Sequence, residues 1–176
     1  MTIHELTWIK LTQAALEALV NRDLQQASTL IGVQLDSFFS TDDAVWLWDI
    51  RLNQARQDPR SLDWIAQVVT SNQQVVGHAG FHGPPDQMGM VEVAYSVVPA
   101  QRGQGYAKAM LHDLLYRARA EKEVQIVRAT ISPDNAASLA TIRPFGFTYK
   151  GQQLDDMDGI EYIFELDSQS LQIEID

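Results

Sequence analysis

The chain has 176 residues, 45% of them hydrophobic and 20% charged, which suffices for one domain with a substantial core. It contains no cysteine, excluding disulfides, thiolate metal sites and a cysteine nucleophile, and no apolar run approaches the roughly 18 residues of a membrane span. The net charge of −10 argues against a general nucleic-acid binder, whose affinity would rest on Lys and Arg facing phosphates.

The opening "MTIHELTWIKLTQ" mixes Glu, Lys and Thr among its apolar residues, unlike a secretory signal, so the expected location is the cytoplasm. "ELTWIKLT" predicts a strand, and "TQAALEALVNRDLQQASTLIG" a helix stopped by Gly32. "DSFFSTDD" reads as a loop whose acids cap the helix "AVWLWDIRLNQARQ", where Val45, Trp48, Leu52 and Ala55 share a face. After the interruption "PRS" come three strands, "LDWIAQVVT", "QVVGHAGF" and "MVEVAYSVV". A glycine loop, "PAQRGQG", leads into the helix "YAKAMLHDLLYRARAEK". The strand "VQIVRATIS", a short helix after "PDN" and the hairpin "FTYKGQQLDDMDGIEYIFELD" complete the chain. Strand, two helices, three strands, helix, strand, helix, two strands make a mixed α/β sheet rather than an alternating doubly wound one.

Charge is unevenly distributed. Residues 101–150 carry a balance of +4, while residues 1–100 stand at −6 and residues 151–176 hold 8 acids and no base. A polyanionic ligand would dock at the cationic segment, leaving acidic surroundings for something positive. That segment begins with the strand–glycine–helix pattern that aims backbone N–H groups at phosphate. A P-loop would need Lys and Ser or Thr directly after its last glycine, but Tyr106 and Ala107 follow Gly105. A dinucleotide fingerprint would need a third glycine where Lys108 stands, and an acid among residues 124–127, where there is none. The remaining pattern, R-x-x-G-x-G/A, is met by Arg102, Gly105 and Ala107.

"VEVAYSVVP", "QRGQGYAKAM" and Asn135, Ser138, Gly146 and Phe147 follow one another over residues 88–147. In this order and spacing they resemble the GNAT superfamily of acyl-CoA-dependent N-acetyltransferases, nearest the branch that acetylates protein N-termini and small amines. The resemblance implies a single GNAT-like domain over residues 1–176, with an acyl-CoA-binding half near 88–150 and an acceptor-shaping half near 1–87. It implies a largely antiparallel central sheet with a splayed fourth strand, flanked by helices, and acetyl-CoA as co-substrate. Tyr95, Ser96 and Val97 would pair with the pantetheine arm, and a backbone N–H near Val97 or Val98 would polarise the thioester carbonyl. Arg102, Gly103, Gln104, Gly105, Tyr106 and Ala107 would hold the pyrophosphate, and Asn135 would bond the pantetheine arm.

Attack by an amine on a thioester needs a base, because an alkylamine is mostly protonated at pH 7. Glu92, embedded in "VEVAY", matches a position where some family members carry that base. The tyrosine that usually meets the departing thiolate is replaced by Ile142, leaving Ser138 as the candidate catalytic donor to sulfur, with Tyr106 as an alternative. The replacement also keeps open a non-catalytic acyl-CoA-binding regulatory module. Without cysteine, transfer would be direct.

The acceptor expected is an amine on a small molecule or peptide N-terminus, with no nucleic acid or membrane partner. Phe38, Phe39, Asp42, Asp43 and Trp46 would suit an amphipathic cation, although helix-spaced aromatics serve equally as core or as a homodimer contact. No metal site is expected. His78 and His82 lie too far apart on a strand to share an ion, and His78 reads as a strand histidine or a second base. Asp156, Asp158, Gly159 and Glu165 mimic a calcium loop, but the segment reads better as a hairpin turn.

Overall fold

A computed structural model describes residues 4–155 and 159–170. Seven strands form the sheet: β1 (Thr7–Ile9), β2 (Gln67–Ser71), β3 (Gln74–Phe81), β4 (Met90–Val97), β5 (Ile126–Ile131), β6 (Thr148–Asp155) and β7 (Gly159–Asp167). Their spatial order is β1-β2-β3-β4-β5-β7-β6, and only β4 and β5 run parallel. This is the mixed, largely antiparallel sheet that the sequence predicts.

The helices are α1 (Gln13–Val20), α2 (Leu24–Ile31), α3 (Asp42–Gln57), α4 (Tyr106–Ala120) and α5 (Ala136–Ile142). The helix expected over residues 12–32 is two helices. Arg22 adopts φ 58°, and Asp23 caps a fresh helix by accepting from Gln26 N at 2.9 Å. Gly32 ends α2 in the left-handed conformation, as predicted. The strand expected from Leu62 begins only at Gln67, because Asp58 caps a 3-10 turn, Pro59–Asp63, with Pro59 in its first turn.

Two cores sandwich the sheet. Helices α1, α2 and α3 cover one face with Leu16, Leu19, Trp48 and Leu52, packed against Val68 and Val98. Helix α4 covers the other with Met110, Leu111, Leu114 and Leu115, against Val91, Val93 and Val127. Ile142 of α5 joins that second core, 3% exposed. The apolar stripe expected on α3 holds for Trp48, Leu52 and Ala55, but Arg51 is buried with them at 4% exposure.

Strand β4 parts from one neighbour along its length. Met90, Val91 and Glu92 pair with Ile126, Val127 and Arg128, and the β4–β5 pairing stops there. On its other edge β4 stays paired with β3 from Val93↔Phe81 to Val97↔Gly77. Past Glu92 the sheet therefore opens into a V.

Candidate active site

Backbone phase decides which groups of β4 face the V. His82 N donates to Glu92 O at 2.8 Å, and Val98 N donates to Val76 O at 3.0 Å. In an antiparallel pair such residues alternate, so the Glu92 carbonyl, Ala94, Ser96 and the Val98 N–H are directed to the β3 edge. Tyr95 and Val97 turn theirs to the opening. The Val97 carbonyl accepts from Arg102 Nε at 3.1 Å, which fits that direction. Val98 therefore leaves the expected set: its N–H is taken and its side chain, 4% exposed, belongs to the core under α3.

A pocket of ≈660 Å³ occupies the V. Its lining brings together Tyr95, Ser96 and Val97 from β4 with Arg102, Gly103, Gly105, Tyr106 and Ala107 from the glycine loop and the start of α4. Asn135, Ser138 and Thr141 complete the far wall. Ten of the residues expected from the sequence thus meet in one place, although they come from three separate stretches of chain.

The loop is shaped for an anion. Gly103 and Gly105 have φ 74° and 91°, values that favour glycine, and Gly105 opens α4 without a side-chain cap, leaving first-turn N–H groups to the pocket. The helix dipole adds positive potential there, and Arg102 and Lys108 line the same wall. Gln104 lies outside the lining. Its side chain turns back to Gln101, and its carbonyl accepts from His4 Nε2 at 2.7 Å. The His4 ring stacks beside Tyr106, 4.2 Å between centroids, so the N-terminal segment braces the loop. This contact packs His4 against Tyr106, which also lines the pocket, and it was invisible to motif reading.

Asn135 caps α5, its Oδ1 accepting from Ser138 N at 3.0 Å. The Tyr95 hydroxyl is buried beside the hydroxyls of Ser138 and Thr141, which oppose the effect of burial on its pKa, yet it has no partner in hydrogen-bonding geometry among the described residues. Burial raises its pKa, so it remains a neutral phenol at pH 7.

Glu92 is not in the pocket lining. It stands at the apex of the V, on the α3 side of the sheet, where Thr130 Oγ1 of β5 donates to its Oε1. His82 Nδ1 lies 3.7 Å from the same oxygen. Arg51 Nη1 and Gln54 Nε2, both from α3, donate to the His82 carbonyl at 2.8 and 2.7 Å. Burial lowers the Arg51 pKa to about 10, which leaves it charged, and the nearby Glu92 carboxylate opposes that shift. Arg128, in register with Glu92, is engaged by Glu165 at 2.6 Å.

The expected acceptor residues divide. Phe39 is fully buried against Trp48 and is core. Asp42 pairs with Arg22 at 2.6 Å. Phe38 is half-buried beside His78, while Asp43 and Trp46 are exposed. His78 is a strand histidine enclosed by Phe38, Phe39 and Trp48. Among the described residues no cluster of three His, Cys, Asp or Glu side chains suits a metal, and no helix is long and apolar enough to cross a membrane. Asp156 and Asp158 of the calcium-like segment lie outside the described residues.

A family model described as an acetyltransferase (GNAT) domain matches residues 8–148. The uncharacterized N-acetyltransferase YjdG of Bacillus subtilis (strain 168) is 32% identical over 84 residues, 48% of this chain and 49% of that protein. The match thus spans about half the length of that curated relative. Among solved structures, Mycobacterium smegmatis RimJ in complex with CoA-disulfide superposes with a TM-score of 0.67 at 17% identity, over 96% of this chain and 84% of that one. A spermidine N-acetyltransferase SpeG chimera of Vibrio cholerae and hSSAT superposes with a TM-score of 0.66 at 12% identity, over 93% and 95% of the two chains. At these identities the superpositions speak for the fold, and the match over residues 8–148 for the family: the chain belongs to the acetyltransferase (GNAT) domain family.

Proposed function

We propose that this chain is a single acetyltransferase domain that moves an acetyl group from acetyl-CoA to a primary amine by direct attack. The observation that carries the reading is the V: beyond Glu92, Tyr95 and Val97 turn backbone groups away from β3 toward a pocket closed at one end by the glycine loop, with the Val97 carbonyl held by Arg102 Nε. A peptide-like pantetheine arm would satisfy those groups as an added strand would, and the Arg102–Ala107 loop with the start of α4 would take its pyrophosphate. The Asn135 side-chain amide nitrogen has no partner among the described residues and is available to the same arm. The Val97 N–H is the donor that would face the thioester carbonyl, where charge develops as the amine attacks.

Glu92 would take the amine proton, its Oε2 having no partner among the described residues while Thr130 holds Oε1. Ser138 would donate to the departing sulfur, in place of a tyrosine at Ile142. The acceptor would be an amine on a small molecule or a peptide N-terminus. The named activities of YjdG and the SpeG chimera support that class. A non-catalytic acyl-CoA-binding module is the second reading, favoured by Ile142, a core side chain with no acidic proton where the family usually has a tyrosine.

Thermal unfolding with acetyl-CoA, CoA, ATP and NAD in parallel tests the donor. A ligand at about 100 times its Kd stabilises by roughly 2.7 kcal/mol, which at this size raises the Tm by about 5–10 °C. Acetyl-CoA and CoA are expected to give this shift and ATP and NAD none. An amine panel with free-thiol readout then separates the enzyme from the binding module. A shift with NAD or ATP alone, or with nothing, overturns the reading.

A further inference from the structure

The apex of the V holds a polar cluster that the pocket does not explain. Glu92 is 17% exposed at its side chain and His82, 3.7 Å away, is 49% exposed. The two are held together by backbone rather than by their side chains. His82 N–H bonds Glu92 O, and the His82 carbonyl is clamped by both Arg51 and Gln54. The clamp uses a buried arginine whose Nε has no partner among the described residues. Meanwhile the His82 ring makes no hydrogen bond among the described residues and has one side open to water.

Resting on the acetyl-transfer reading above, we propose that His82 is the proton outlet of Glu92, passing to bulk water the proton that the carboxylate removes from the acceptor amine. The proton balance calls for such an outlet. An ammonium acceptor gives up two N–H protons in becoming an amide; one ends on the released thiol, and the other must reach solvent. Glu92 takes it at Oε2 as the N–H bond breaks. Rotation of the carboxyl about its terminal bond, or one bridging water, carries the proton across the 3.7 Å gap to Nδ1. The imidazolium then releases it to water and returns to neutral.

The groups facing His82 fit this cycle. Loss of solvation lowers its pKa, the Glu92 carboxylate of β4 opposes that, and the Arg51 guanidinium of α3 adds to it. The ring is therefore neutral and ready to accept at pH 7. Thr130 of β5 and Gln54 of α3 contribute only neutral groups, and Arg128 is occupied by Glu165.

Two measurements test the relay. The first is an NMR titration of His82 in the wild type and in Glu92→Gln, which needs no activity. Removing the carboxylate is expected to lower the His82 pKa; an unchanged value overturns the relay. The second is steady-state acetylation by His82→Gln, whose fold is safe because the clamp grips backbone. We expect kcat to fall about tenfold near pH 7, acceptor KM and the CoA-induced Tm shift to hold, and added imidazole to restore part of the rate. Wild-type kcat in His82→Gln overturns the relay and leaves the acetyl-transfer reading standing. A wild-type protein that binds acetyl-CoA yet acetylates no amine overturns both.

Discussion

The hydroxyl of Tyr95 shows how a single atom can be set against the stability of the free protein. It is buried beside the hydroxyls of Ser138 and Thr141, near enough for both to oppose the pKa rise that burial causes, yet it has no partner in hydrogen-bonding geometry among the described residues; Thr141 Oγ1 donates to the Ala137 carbonyl at 2.9 Å. An unsatisfied buried hydroxyl costs about 1 kcal/mol or more. Tyr95→Phe is therefore expected to stabilise the protein by about 1 kcal/mol in urea unfolding. It should leave acetyl-CoA affinity unchanged, since the atom is closed off from the pocket. A loss of stability would mean that the phenol has a partner after all. Residue-level reading of the sequence singled out Glu92, Asn135 and Ser138 through the family resemblance, but it could not reach Arg51. Arg51 sits on the same arc of α3 as Trp48 and Leu52, and its acceptor, the His82 carbonyl, lies 31 residues away. Nothing local to "DIRLN" announces that partner.

At the scale of elements, local chemistry carried further. Gly32, the short helix after "PDN" and the glycine loop were legible because each boundary has a residue type suited to it. The break between α1 and α2 was missed, although "NRD" holds the Asp23 cap, because an unbroken apolar period masks a one-turn interruption. The loop before α4 lends itself to a direct test. At Gly105 an added Cβ would meet the His4 ring, Nε2 at 3.4 Å and Cδ2 at 3.9 Å, so there is room for it, but φ 91° strains any L side chain. Gly105→Ala should cost about 1 kcal/mol of stability and weaken CoA binding by at least tenfold as the loop N–H groups turn away. Measured by calorimetry, an unchanged CoA affinity would remove the loop from the pyrophosphate role. At Gly80 the opposite limit applies: an added Cβ would meet Ala66 backbone at 2.7 Å, so that glycine is fixed by packing.

For the molecule as a whole, the strand content was legible but the order was not. Periodicity finds β5, β6 and β7 along the chain. That β7 inserts between β5 and β6 depends on pairings such as Ala129↔Phe164, which no local window contains. Global stability should also carry the signature of a single buried histidine. Loss of solvation first, and then the Arg51 charge, lower the His78 pKa to about 4 from an ordinary 6.5. Between those values the unfolded chain binds a proton at this position and the folded chain does not. The contribution of neutral His78 is thus complete above pH 6.5, shrinks as pH falls, and is lost by pH 4, on the order of 3 kcal/mol. Urea unfolding at pH 7 and pH 4.5 should show this loss in the wild type and a smaller one in His78→Phe. Equal losses in the two proteins would assign the acid sensitivity to other groups.

The parting of β4 from β5 also has a signature in time. Along one strand the amides of Ala94, Ser96 and Val98 are tied to β3, while those of Tyr95 and Val97 face the open V. In deuterated water successive residues of this strand should lose their protons at alternating slow and fast rates, like a zip fastened on every second tooth. A ligand lying in the V would even out that rhythm, so the strand itself would record when the molecule is loaded.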